Sequence, residues 1–413
     1  MFRTAKRPLT LLGGLILCIS LPINALTLEE ALRLAQQNAP ELEASALAQL
    51  AAREERSGAG RLPDPRLSFG LENLPVQGDQ PGSLSTSDMT MQVIALSQEV
   101  PNRNRRRADS MRAAALLDLA DAERSLVQLA VRSAAASGWL RLHQAERELA
   151  LLEELYEHNR LLDLTVRARL AAGVGPVADR PRAALELARL DERREALTAR
   201  LEQARAELRR WTGPLDGQQG TSGGWPVWEI APKDYLSRLD TQPELAIFAP
   251  LGQERQASLA LAEADRRPDW SWSLAYQRRA AGLDDMMSVQ VSVGLPIFPG
   301  QRQNPRIAAR QADLASLHGE RESTRRRLVA ELESAVADVA RLESAVHRMT
   351  TTLLPLAAER SDLSLADYRA GRGSLDEVIG ARQAHTELHI ERIALEAELA
   401  DLRTRLHLTF GEH

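Results

Sequence analysis

The spacing of apolar residues along the chain switches between a helical and an alternating period. Between residues 27 and 60 they recur at the spacing of an amphipathic helix. Two alternating segments follow, and then a stretch from 104 to 172 with one glycine and no proline. At about 1.5 Å rise per residue, that stretch predicts a rod on the order of 100 Å long. The same order returns after residue 240, and its rod, 306–370, is interrupted only by one glycine and one proline.

The alternating segments predict four strands, at about 66–74, 88–99, 269–278 and 286–298. Each has an apolar face and a small or polar face, and Thr90 and Gln92 are expected on the polar one. The expected apolar face comprises Leu67, Phe69 and Leu71, then Met89, Met91 and Val93, then Trp270, Trp272, Leu274 and Tyr276, and finally Val289, Val291, Val293 and Leu295.

The chain is organised as two copies of one plan. Two tip glycines and the pair Gln92-Val93 recur at one common offset in residue number, the latter as Gln290-Val291. Each repeat is expected to contain a helix, two strands and a long helical hairpin. The predicted divisions are the first repeat 26–212 with its hairpin 101–211, an irregular Gly/Pro-rich linker 213–240, and the second repeat 241–413 with its hairpin 300–408.

Residues 1–25 have the features of a secretory signal. A basic start precedes an apolar run, and Ala25 stands at the expected cleavage point. Lipidation at Cys18 is the alternative, although Leu17 occupies a position where a small residue is normally required. Cys18 is the only cysteine, so a chain cleaved after Ala25 would form no disulfide.

Composition excludes other classes of protein. The net charge is −5, and it becomes more negative when the basic signal is removed. The chain after residue 25 therefore has no basic patch that would indicate binding to nucleic acid. No later stretch approaches the roughly 18 apolar residues of a transmembrane helix. If the chain crosses a membrane, it must do so with strands.

The strand pattern fits either a lipid-facing barrel or a half-buried soluble sheet, because both alternate identically. The signal, the aromatic residues Trp270, Trp272 and Tyr276, and the absence of a second apolar layer favour the barrel. The smallest barrels use about eight strands, and an open edge is not tolerated in hydrocarbon. Several copies must therefore pool strands, and three would supply twelve.

The sequence resembles the TolC family of outer-membrane efflux factors over essentially all of the chain after residue 25. The doubled plan carries this resemblance, together with Leu26–Leu32 at the expected mature start and Tyr368–Ser374 at the second helical tip. The strand segments 62–75, 89–91 and 97–101 are similar to the heavy-metal branch, the CusC- and CzcC-like proteins.

The resemblance implies an α+β membrane protein that assembles as a homotrimer. Four strands per protomer would contribute to a shared 12-stranded transmembrane β-barrel, and the duplicated antiparallel α-hairpins would form an α-barrel across the periplasm. The implied partners are a periplasmic adaptor, an inner-membrane RND-type pump and outer-membrane lipid. The protein would be a passive duct without catalysis, cofactor or bound metal, and heavy-metal cations are the expected cargo.

The resemblance also assigns a gate to the residues near the second tip. Tyr368 matches the family's tip tyrosine, and Glu377 matches the first acid of a ring around the pore, with Asp376 beside it. Asp179 is the counterpart of Glu377 in the first repeat.

Other positions depart from the family pattern. Gly380 stands where some members have a second acid, and Gly373 stands where a bridging arginine can occur, so that Arg372 could substitute. The expected adaptor-docking tips comprise Gly173, Gly175, Gly371, Gly373 and Ser374. The glycines fit turns that require positive φ.

Further groups of side chains could bind a metal or take part in catalysis. His385 and His389 lie four residues apart on a predicted helix and could share a metal, but solvated helix positions explain them better. The methionines Met89, Met91, Met286 and Met287 could offer sulfur to copper or silver, or simply face lipid and loops. Asp376 and Glu377 are no catalytic pair, because adjacent helical residues point about 100° apart. Repeated by symmetry they would favour cations, or they could serve only as helix-dipole partners.

The sequence is compatible with three functions. The leading hypothesis is an outer-membrane duct for metal ions, and the same fold could instead export drugs or a secreted polypeptide. A periplasmic coiled-coil scaffold without a pore is the alternative from another class.

Overall fold

The computed structural model describes residues 25–78, 81–84, 87–215, 220–279 and 282–411. Cys18 and the first 24 residues of the predicted signal lie outside these ranges. The helices are α1 (Leu28–Asn38), α2 (Pro40–Gly58), α3 (Arg103–Ala171), α4 (Asp179–Thr212), α5 (Pro232–Ser237), α6 (Pro243–Ala246), α7 (Phe248–Ala264), α8 (Gln303–Arg348), α9 (Leu354–Arg369) and α10 (Leu375–Leu406). The strands are β1 (Arg66–Glu72), β2 (Met91–Val100), β3 (Trp270–Arg278) and β4 (Met286–Val293).

Both predicted rods are present. The first is α3, a single helix of 69 residues, which begins where the Asn102 side chain accepts a hydrogen bond from the Arg105 N–H at 2.9 Å. The second consists of α8 and α9 joined by a π-helical segment, Met349–Leu353. Because Pro355 has no N–H to donate, the wider π turn accommodates it without ending the rod.

The helix predicted over 27–60 is instead two helices. Ala39 is extended, with φ −67° and ψ 120°, and Pro40 begins α2. A proline disfavours the helical conformation of the residue before it, so the break lies at that pair.

The four strands form one antiparallel sheet in the order β1-β2-β3-β4. β4 ends at Val293, earlier than predicted, and beyond it the Gly294 N–H still donates to the Asp269 carbonyl at 2.9 Å. β2 begins later and runs to Val100, which pairs with Trp270. Within the described residues, β1 and β4 each have one neighbour and are therefore the edges of the sheet.

The predicted face of β2 was wrong. Ile94 pairs with Phe69 on one side and Tyr276 on the other, and directly paired residues share a face. Val93 pairs with Gly70 and Gln277, so Met91 and Val93 lie on the small and polar face. Side-chain exposure agrees, at 47% for Ile94 and 8% for Val93.

The helices nearest the sheet continue its order as a single layer. α2 packs on α3, α3 on α7 and α7 on α8. Farther along the rods, one core cluster packs α1, α3 and α4 around Trp139 and Leu208, and another joins the two hairpins near their ends. Among the described residues, no helix is both long enough and apolar enough to cross a bilayer.

The linker between the repeats is anchored at the level of Trp139. The Trp139 indole donates to the Leu26 carbonyl at 2.8 Å, and the Thr221 hydroxyl donates to Glu146 at 2.6 Å. His143 Nδ1 lies 2.7 Å from that hydroxyl. Since the hydroxyl proton is committed to Glu146, we assign the proton of the neutral imidazole to Nδ1.

Candidate functional site at the two helical tips

The two hairpins end in matching turns. Gly173 and Gly371 have φ of 72° and 74°, which only glycine adopts without strain. One residue further, the Val174 N–H donates to the Arg169 carbonyl at 2.9 Å, and the Arg372 N–H donates to the Asp367 carbonyl at 2.9 Å. These bonds to the fifth preceding residue complete the same helix-ending motif in both repeats.

The second glycine of each turn occurs for a different physical reason in each repeat. Gly175 has φ 110°, as expected. The expectation of positive φ at Gly373 was wrong, because its φ lies outside the left-handed region. A Cβ there would lie 3.2 Å from the Tyr368 backbone nitrogen and 3.3 Å from Glu377 Oε2. Close packing, and not backbone conformation, therefore disfavours a side chain at this position.

Ser374 and Glu377 begin α10 with a reciprocal capping box. The Glu377 N–H donates to Ser374 Oγ at 3.3 Å, and the Ser374 N–H donates to Glu377 Oε2 at 3.0 Å. Glu377 is nevertheless exposed, so its carboxylate both caps the helix and faces solvent in the single chain.

Tyr368 lies at the contact between the two tips. Its hydroxyl donates to Asp179 Oδ2 at 3.2 Å, and both residues are buried. The Arg169 guanidinium lies 4.4 Å from the centre of the tyrosine ring and donates to the Tyr368 carbonyl at 2.8 Å. Burial raises the pKa of the Tyr368 phenol, and the Asp179 charge raises it further, so the phenol stays a donor.

Arg182 provides a second link between the tips. Its guanidinium lies 3.7 Å from Asp179 and 3.3 Å from Asp376 on α10. Arg372 instead pairs with Asp367, at 2.8 Å, within its own turn. The structure therefore brings Tyr368, Asp179 and Asp376 into one network, while Arg372 and Glu377 serve their own turn.

Sequence reasoning missed Arg169 and Arg182. Arg169 lies in the last turn of α3, and Arg182 follows Asp179 by one helical turn, positions that suit partners of a carbonyl and a carboxylate. Sequence reasoning also missed a polar layer between α4 and α10 next to the tips, where Gln383 donates to Glu186 at 2.6 Å. In that layer burial lowers the pKa of Arg382.

The described structure does not bring the other candidate residues together into a metal site. The rings of His385 and His389 lie 4.7 Å apart, but the described residues contain no group of three or more histidine, cysteine or acidic side chains that could hold a metal ion. Met91 is paired with Glu72 on β1, and Met286 with Gln277 on β3. No pair of methionines is brought together across these strands.

Comparison with known proteins agrees with this architecture. The profile of the family described as "Outer membrane efflux protein" matches residues 238–412. The cobalt-zinc-cadmium resistance protein CzcC of Cupriavidus metallidurans is 25% identical over 250 residues. That match covers 59% of this chain and 58% of CzcC, so the chain aligns with less than two thirds of this relative.

Solved structures show the same fold. The CmeC outer membrane channel of Campylobacter jejuni superposes with a TM-score of 0.77 at 13% identity, covering 93% of this chain and 85% of CmeC. CusC superposes with a TM-score of 0.77 at 15% identity, covering 94% of this chain and 92% of CusC. Residues 238–412 thus match the outer membrane efflux protein family, as the TolC-like sequence features predicted, and the described chain has the fold of these solved outer membrane channels.

Proposed function

We propose that three copies of this chain form a passive duct through the outer membrane and across the periplasm. Each copy would give its four strands to a shared 12-stranded barrel, with the α-hairpins continuing below as a helical barrel. An adaptor would dock at the tips and connect the duct to an inner-membrane RND-type pump.

The sheet is the observation that carries this proposal. Its apolar face is exposed, with Phe69 at 72%, Val289 at 73% and Val291 at 61%. Its edges, β1 and β4, have unpaired backbone groups on their outer sides in the described chain, which cannot remain unpaired in hydrocarbon. Pairing β4 of one copy with β1 of the next satisfies both edges and closes the cylinder.

The tips would act as the gate of the duct. The hydrogen bond from Tyr368 to Asp179 and the ion pair from Arg182 to Asp376 join the two hairpins of one copy. Opening would move one hairpin relative to the other and break these contacts. The exposed carboxylates of Asp376 and Glu377, repeated in three copies, would favour cations at the inner mouth.

Heavy-metal cations are the proposed cargo. The similarity to CzcC, a cobalt-zinc-cadmium resistance protein, supports this choice, as does the fold shared with CusC. Deleting the gene should lower the concentrations of Co²⁺, Zn²⁺ or Cd²⁺ that the cells survive, without changing their resistance to drugs. Loss of drug resistance or of a secreted polypeptide would instead support the second cargo.

Membrane extraction and planar bilayers test the duct itself. We expect trimers in outer-membrane fractions that dissociate on heating, and single-channel conductance after reconstitution. A water-soluble monomer with no conductance would contradict the duct and support a coiled-coil scaffold.

A further inference from the structure

The segments that connect the strands to the helices lie at one end of the sheet, here called its helical end, and carry an excess of positive charge. They comprise 59–66 before β1, 99–107 at and after the end of β2, 265–270 before β3, and 294–306 after β4. Their arginines outnumber their carboxylates, although the whole chain has a net charge of −5. These arginines are Arg61, Arg66, Arg103, Arg105, Arg106, Arg107, Arg266, Arg267, Arg302 and Arg306.

The carboxylates of this region neutralise only part of that charge. Asp269 pairs with Arg105 at 2.8 Å, and Asp265 pairs with Arg306 at 2.8 Å. Glu99 lies 3.6 Å from Arg66. Six further arginines are exposed and have no ion pair within the described chain. Arg266 donates to the Asn304 amide oxygen at 2.5 Å, and Arg267 lies beside the Asn104 amide. The other four have no side-chain hydrogen bond among the described residues either; they are Arg61, Arg103, Arg107 and Arg302.

The unpaired arginines of α3 lie on a face that no other helix of the described chain covers. One side of α3 contacts α7, where Arg112 pairs with Glu254 at 3.0 Å. Another side contacts the end of α2, where the Gly60 N–H donates to Asp109 at 3.0 Å. Arg103 and Arg107, one turn apart, form a separate exposed stripe that Met111 continues.

This charge lies next to the exposed apolar face of the sheet. Trp270 stands at the helical end of β3 and is 43% exposed on that face. Beyond β4, Ile297 and Phe298 are 68% and 62% exposed, and Arg302 follows them. Apolar residues, then an aromatic residue, then basic residues match the order of hydrocarbon, interface and headgroup at a bilayer surface.

We propose that Arg61, Arg103, Arg107 and Arg302, here called the arginine belt, bind the phosphate groups of anionic phospholipids. The leaflet is the one on the helical side of the sheet. Guanidinium groups bind phosphate oxygens through paired N–H donors, and the belt would fix the height of the sheet in the bilayer. The inference rests on the proposed function, because it requires the apolar face to lie in hydrocarbon.

Lipid binding to the full-length trimer tests the belt. Delipidated protein in detergent is titrated with phosphatidylglycerol, phosphatidylcholine or inorganic phosphate, and bound lipid is counted by native mass spectrometry. We expect preferential binding of phosphatidylglycerol, little competition from inorganic phosphate, and affinity for phosphatidylglycerol reduced about tenfold or more in R103Q/R107Q/R302Q. R189Q/R200Q/R348Q is the matched control, since all three arginines are exposed on long helices and have no ion pair within the described residues.

The outcomes of this experiment distinguish failure of the arginine belt from failure of the proposed duct. Equal phosphatidylglycerol binding by the belt variant and wild type would overturn the belt, and so would an equal loss in the control variant. Competition by inorganic phosphate at equal concentration would reassign it as a site for free anions. Trimer formation and conductance are measured on the same preparations, and a wild-type chain lacking both would defeat the proposed function instead.

Discussion

The hydroxyl of Tyr368, in the last turn of α9, donates a hydrogen bond to the carboxylate of Asp179, the first residue of α4. The two residues belong to different repeats, and their exposed fractions are only 4% and 3%. Each hairpin tip thus contributes one partner to a buried contact. Separation of the tips must break this bond or carry one partner away from the other.

We expect Tyr368→Phe to shift the conformational equilibrium toward the state in which the two tips are separated. The ring can stay beside Arg169, while the buried Asp179 carboxylate loses one of its donors. A hydrogen bond to a charged group contributes about 1.5–3 kcal/mol, so the open probability in planar bilayers should rise by about tenfold or more. Tyr156→Phe is the control, because Tyr156 contacts Arg194 through its ring and lies away from the tips. Equal open probability in wild type and Tyr368→Phe would contradict the gate.

Substitution of Glu377 can separate its charge from its capping role. Glutamine also completes a capping box, so Glu377→Gln should keep the start of α10 and remove the negative charge. We expect a lower preference for cations in bilayer reversal potentials, with unchanged thermal stability. Glu333→Gln, an exposed substitution on α8, should leave selectivity as it is. Unchanged selectivity in Glu377→Gln would remove this residue from the pore.

Adjacent arginine substitutions in β2 test which face meets lipid. Ile94 lies on the exposed apolar face, and Ala95 pairs with Ser68 and Ala275 on the other face. An arginine facing lipid near mid-membrane costs about 2–4 kcal/mol, so Ile94→Arg should sharply reduce the trimer in outer-membrane fractions. Ala95→Arg should assemble with a reduced conductance. The reverse order of these two phenotypes would mean that the faces are exchanged.

His143 should make stability depend on pH. Burial, assisted by the Arg147 charge, lowers the pKa of His143 from 6.5 to about 4, so folding favours the neutral imidazole. Its contribution is complete above pH 6.5 and is lost as the pH falls from 6.5 to about 4. We expect the stability difference between wild type and His143→Asn to shrink over that window, measured by denaturant unfolding.

A matched variant identifies the source of this pH dependence. Asparagine can place an N–H where Nδ1 donates to Thr221, without titrating. His347 is exposed on α8, so His347→Asn is the control for replacing a histidine that is not buried. A constant difference between wild type and His143→Asn over the pH window from 6.5 to about 4 would exclude His143 as the titrating group.

Much of the architecture could be predicted from local patterns. The residues of α3 contain no proline and a single glycine, and nothing in that stretch competes with a continuous helix. Alternation located the four strands, and the glycines at 173 and 371 marked both turns. These features depend on residues close together in the chain, so the sequence displays them directly.

The face of β2 could not be assigned in this way. Val93 and Ile94 are adjacent apolar residues, so the strand contains two possible alternating phases, one through Met91 and Val93 and one through Ile94 and Leu96. Pairing with Phe69 and Tyr276 selects the second phase. Consequently Gln92 and its repeat counterpart Gln290 lie on opposite faces of the sheet.

The sequence by itself determined the rods, the strands and the duplicated plan, because spacing along the chain is sufficient to specify a helix or a strand. Only the tertiary structure decided that Tyr368 meets Asp179 and that Arg182 joins Asp179 to Asp376. It also gathered arginines from four separate connectors at one end of the sheet. Such contacts join residues far apart in the chain, and their geometry depends on how the hairpins pack and how the strands pair.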